Sequence, residues 1–149
     1  MSITLQLICL LPILYCAIWN ETIVGRSGND LASAFINILQ HIVDNNLDIL
    51  NIVTWSDSCV PQNRNRIMST AIIGFMLKNP RIKSVTMKYS VPGHSCIQEV
   101  DNAHSQIEKH IKKIDIWSPL SFVRSLLKVN TKKPFIVLQM SLNKFKDYN

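Results

Sequence analysis

DILNIVTWSDSCVPQNRNRIMSTAIIGFMLKNPRIKSVTMKYSV, residues 48–91, decides the fold. Its first eight residues, 48–55, form a short run rich in β-branched and aromatic side chains that ends at Ser56 and Asp57, the pattern of an interior strand. Ile67, Ala71, Ile72 and Phe75 then return on one helical face until Asn79 and Pro80 stop the helix. Residues 84–91 alternate as a strand does. Strand, helix and strand in so short a span imply parallel pairing through a right-handed crossover.

The same grammar extends in both directions. Upstream, Ser27 and Asp30 have the spacing of a capping box, and Leu31, Ala34, Phe35, Ile38, Ile42 and Val43 mark the buried stripe of a helix that ends near Asn45. Downstream, a helix is predicted over 99–113, with Ala103, Ile107, Ile111 and Ile114 inward. Ser118 and Pro119 occupy the N-cap and first-turn positions of a short helix, and PFIVLQM (134–140) supplies a last extended segment. The predicted order is strand, helix, strand, helix, strand, helix, helix, strand. This is an α/β class of one domain over 1–149, in which 117–149 is a possible C-terminal appendix beyond IDIWSP.

The chain has 149 residues, 47% of them apolar, which suffices for a real core and excludes a disordered tail. Its charge is unevenly spread. Residues 1–56 hold one base, Arg26, against four acids, whereas 57–149 hold fifteen bases against six acids. A basic half of this kind attracts polyanions, although a lysine-rich solvated surface would carry the same composition. Cys9, Cys16, Cys59 and Cys96 form neither a CxxC pair nor a regular framework, the usage of an intracellular protein, nuclear or cytoplasmic, with reduced thiols. The apolar start, MSITLQLICLLPILYCAIW, resembles the core of a secretory signal. It lacks a basic leading segment, is interrupted by Gln6 and Pro12, and is at the short limit for a membrane span. A strand buried on both faces reads the same way, so a secreted or membrane-attached protein is the minority alternative.

Chemistry is concentrated in two places. Asp57 follows a predicted central strand, the position where open α/β sheets gather ligands, and also the position of an ordinary turn-capping aspartate. Glu99, Asp101, His104 and Glu108 crowd the opening turns of a helix; Asp101 with His104, and His104 with Glu108, share a face. Such acids complement a helix dipole, and carboxylates from separate elements also form the set that binds a hard divalent cation. His94, Cys96, His104 and Cys59 match no familiar zinc spacing. Trp19, Trp55 and Trp117 lie beside apolar neighbours and read as core or strand-edge residues. Arg64, Arg66, Lys78, Arg81, Lys83, Lys88, Lys109, Lys112 and Lys113 are the bases available to follow a phosphate backbone.

Four stretches in order carry a family resemblance: CAIWNETIVGRSGNDLASA, TWSDSCVPQNRN, YSVPGHSCIQEVDNAHSQIEKH and SPLSFVRSLLK. Together, across roughly 15–140, they resemble an uncharacterised domain family of transposon-derived proteins that looks like the RNase H-like cores of DDE-type transposases. The resemblance implies a mixed sheet with helices on both faces and metal-dependent phosphodiester chemistry with Mg2+ or Mn2+. It further implies nucleic acid, chiefly DNA, as partner, and no small-molecule substrate. Asp57 matches the second of three metal-binding acids, Glu99 or Asp101 the third, with His94 and His104 beside them. Of the bases named above, Arg64, Arg66, Lys88, Lys109, Lys112 and Lys113 are the candidate nucleic-acid contacts, a role that a solvated surface would mimic. Members of the family carry further sequence before the strand that holds CAIWNE, including the first acid, and the residues before Tyr15 contain no carboxylate. The expectation is therefore a sheet lacking early strands, an incomplete catalytic set, and an edge covered by the apolar start or by a partner chain.

Overall fold

A computed structural model describes residues 3–10, 13–56, 59, 64–91 and 98–149 of the chain. Its elements are β1 (Ile3–Leu10), β2 (Ile13–Asn20), α1 (Gly28–Asn45), β3 (Asn51–Ser56), α2 (Arg66–Lys78), β4 (Ser84–Tyr89), α3 (Gln98–Ile111), α4 (Pro119–Val129), β5 (Ile136–Gln139) and a 3-10 turn, Leu142–Lys144. The α/β class and the helix order agree with the sequence pattern. Two compact units divide the chain, one of Met1–Gly25 with Gln98–Leu142 and one of Arg26–Ile97 with Asn143–Asn149.

In the first unit the apolar start corrects the expected order. It forms two antiparallel strands, with Leu10 opposite Ile13 and Ile3 opposite Asn20. In sequence Leu11 and Pro12 lie between them. β5 joins the other side of β2 in parallel, so this three-stranded sheet is mixed, in the order β1-β2-β5. Cys16 and Ile18 face Ala103 and Ile107 of α3 and Leu126 of α4, with Phe135 completing a closed cluster. Tyr15, Ala17 and Trp19 alternate with them and are also buried, which accounts for the unbroken apolar run. The indole N–H of Trp19 donates to the Gly25 carbonyl at 3.0 Å. α3 ends at Ile111, so Ile114, expected on its inward stripe, lies beyond the helix and is exposed.

In the second unit β3 and β4 pair in parallel, from Asn51 opposite Ser84 to Ser56 opposite Tyr89, as strand–helix–strand reasoning requires. Lys83 N–H to Leu50 carbonyl (2.7 Å) and Ser90 N–H to Ser56 carbonyl (2.9 Å) extend the ladder at both ends. α1 starts at the predicted box: the Ser27 N–H donates to Asp30 Oδ2 at 2.8 Å, and the Asp30 N–H to Ser27 Oγ at 3.3 Å. Its inward stripe is wider than predicted, taking in Ala32, Ser33 and Leu39. Val43 and Leu39 of α1, Phe75 of α2 and Ile82 form one core cluster; Ala32, Met68, Ala71 and Ile72 form a second. Ile52, Val85 and Met87 turn one face of the β3–β4 sheet toward these clusters. Within this unit α1 and α2 pack on that face of the strand pair. Among the described residues no helix is long and apolar enough to cross a membrane.

Candidate nucleic-acid interface

Alternation along β3 leaves Asn51, Val53 and Trp55 exposed, with Ile52, Thr54 and Ser56 half-buried. Parallel register puts Ser84, Thr86 and Lys88 of β4 beside the first three, on the same face. The outward ladder is therefore Asn51–Ser84, Val53–Thr86 and Trp55–Lys88. The Ser84 hydroxyl donates to Asn51 Oδ1 at 2.8 Å. Trp55 and Val53 are each 55% exposed, a large apolar area to leave in water. Lys88 Nζ stands 5.0 Å from the centroid of the Trp55 ring, within cation–π range.

Three further groups belong to the same unit. Arg64 follows β3 and lies 5.8 Å from the ring of Tyr89, the last residue of β4. Burial raises the Tyr89 phenol above its ordinary value, and the Arg64 charge opposes that rise. The Tyr89 hydroxyl donates to Met87 Sδ at 3.6 Å. Asn65 caps α2, its Oδ1 accepting from the Met68 N–H at 2.9 Å, and Arg66 opens the helix exposed to water. Trp55 and Lys88 each sit one residue before the carboxyl end of their strand, the end at which α/β sheets receive ligands. No carboxylate stands on this six-residue ladder.

No protein-family model, curated protein or solved structure matches this chain.

One expectation drawn from the sequence needs correction, and several residues fall elsewhere. Of the three tryptophans read as core or strand-edge residues, Trp19 is buried and Trp55 stands half in water on β3 of the two-stranded sheet, whereas Trp117, 85% exposed and outside any strand, is neither. The physical reason for Trp55 is register, since the odd positions of β3 face away from α1 and α2. The six bases expected to contact nucleic acid divide between the units, Arg64, Arg66 and Lys88 in the second and Lys109, Lys112 and Lys113 in the first. Asp57 and His94, with Cys96, lie outside the described residues. Glu99, Asp101 and His104 are exposed on α3 in the first unit, whereas β3, which leads into Asp57, is in the second. At about 100° per residue, Glu99 and Asp101 point roughly 200° apart, so one ion does not take both. Among the described residues no three His, Cys, Asp or Glu side chains converge as a metal site. Cys59 and His104, two members of the zinc alternative, are in different units.

Proposed function

We propose that this chain is a nucleic-acid-binding domain of RNase H-like, transposon-derived ancestry that uses the outward face of β3–β4. One observation carries the reading: an exposed indole, Trp55, paired in register with Lys88, whose ammonium stands 5.0 Å from the ring. An exposed aromatic face stacks on a base regardless of sequence, and neighbouring cations meet the phosphates on either side. Arg64 and Arg66 extend positive charge from the same end of the strands. Stacking favours a single strand, whose bases are free to leave their neighbours. The sequence resemblance supports the choice of nucleic acid over other polyanions.

Fluorescence anisotropy with a labelled single-stranded oligonucleotide tests this directly. Affinity is expected to fall steeply as salt rises. Trp55→Ala is expected to weaken it by roughly 5- to 150-fold, the equivalent of about 1–3 kcal/mol per stacked base. Binding that ignores both salt and Trp55→Ala would remove the proposal. The resemblance implies ancestral phosphodiester chemistry through Asp57 with Glu99 or Asp101 and Mg2+ or Mn2+, and the incomplete set of acids makes an inactive chain the expected outcome. Magnesium-dependent cleavage of the same oligonucleotide, abolished in Asp57→Ala, would overturn that expectation. Binding without cleavage leaves a binding module.

A further inference from the structure

A second basic site lies in the second unit, away from Trp55. Ser33 and Gln40 of α1, Lys78 of α2, and Lys144, Lys146 and Tyr148 of the C-terminal strap line a groove of about 530 Å³. We propose that this groove binds a phosphate-bearing anion, with Lys78, Lys144 and Lys146 taking its charge.

The strap that brings two of these lysines to α2 is fastened along its length. The Lys146 N–H donates to Ser33 Oγ at 2.9 Å, and the Ser33 hydroxyl donates back to the Lys146 carbonyl at 3.4 Å. Two residues on, the Tyr148 N–H donates to Asn29 Oδ1 at 3.0 Å, and Asn29 Nδ2 donates to Asp147 Oδ1 at 2.8 Å. Tyr148 packs its ring on the Ala32–Met68–Ala71–Ile72 cluster. The lysines therefore project from a fixed segment, and their approach is built into the fold.

All three lysines are exposed at the groove, where an anion can reach them. Lys78 foremost, then loss of hydration, and last Lys144 hold the Lys146 ammonium below the ordinary lysine range. Among the described residues the groove lining contains no carboxylate. Asp147 accepts from Asn29 and Asn149, and Asp44, outside the lining, accepts at 2.8 Å from the groove residue Gln40 through its Nε2. A site of this volume admits a small phosphate ester or polyphosphate. Three separate ammonium groups suit the tetrahedral oxygens of phosphate. A planar carboxylate is better met by the fork of an arginine, and the described lining has none.

The test uses the full chain and sodium tripolyphosphate as probe, read by thermal shift and titration calorimetry against sodium sulfate at matched ionic strength. Tripolyphosphate is expected to raise the unfolding midpoint well beyond sulfate. Lys146→Gln should weaken its binding about tenfold, and Lys78→Met/Lys144→Met/Lys146→Met should abolish the shift while the circular dichroism spectrum stays native. Lys132→Gln/Lys133→Gln, two exposed lysines outside the groove lining, should leave it unchanged. A labelled single strand distinguishes the phosphate's source: if the groove holds a nucleic-acid backbone, the triple variant also loses oligonucleotide affinity, and if it holds a small polyphosphate it does not. No stabilisation beyond sulfate, or an equal shift in the triple variant, would overturn the proposal. Loss of oligonucleotide binding in Trp55→Ala with an intact tripolyphosphate shift would separate the two sites.

Discussion

Ser33 shows how much one small side chain decides here. It is 2% exposed, and its hydroxyl both accepts from and donates to the backbone of Lys146. Ser33→Ala leaves a partly buried N–H without that acceptor, so a loss of about 1–3 kcal/mol is expected, measurable as a lower urea midpoint with little change in slope. The same variant frees the strap near Lys146 and should reduce tripolyphosphate affinity, which a simple loss of stability would not. Nothing in the sequence announces this role. Ser33 lies outside the predicted inward stripe, and its partner lies 113 residues away. The exposure of Trp55 is hidden for a related reason. An apolar run shows that a strand exists, but which parity faces the helices depends on packing that only the register of β3 against β4 reveals.

Elements are legible wherever their signal is local. Capping is the clearest case: Ser27 with Asp30, and Ser118 followed by Pro119, mark helix starts where α1 and α4 begin. At α4 the Ser118 N–H donates to Ser121 Oγ at 3.0 Å and the Ser121 N–H to Ser118 Oγ at 3.1 Å, a box closed by serine where glutamate is usual. Ser118→Ala should cost about 1 kcal/mol, and urea unfolding of the variant beside Ser118→Asp, which keeps an acceptor, would show the loss in the first and little in the second. The N-terminal hairpin is illegible because β2 is buried on both faces and gives no alternation to separate it from β1. The division into β1-β2-β5 and β3-β4 is equally hidden, since pairing partners distant in sequence leave no mark on either strand. Leu126 of α4 is fully buried against β2 and α3, and Leu126→Ala is expected to destabilise by about 2–5 kcal/mol.

Across the molecule, the titration of buried groups predicts how stability depends on alkaline pH. Burial pushes the Cys16 thiol from its ordinary 9.0 up to about 12, and raises the Tyr15, Tyr89 and Tyr148 phenols in the same sense. Between pH 9 and 12 the unfolded chain has released the Cys16 proton and the folded chain has kept it. The unfolded state then binds fewer protons, so stability falls as pH rises. The contribution is intact below pH 9 and lost by about 12, and the gap corresponds to roughly 4 kcal/mol at most. Lys146 works against this trend. Its ammonium is held below the ordinary 10.5 by Lys78 foremost, then by loss of hydration and by Lys144, a penalty that disappears as the group deprotonates. Urea midpoints recorded from about pH 7 to 11 should hold level and then decline above about pH 9. Cys16→Ala should flatten the decline even if it lowers the plateau, and Lys146→Met should steepen it. Equal slopes in the wild type and Cys16→Ala would mean that the thiol does not titrate with folding, and that Cys16 is open to water in the native sheet.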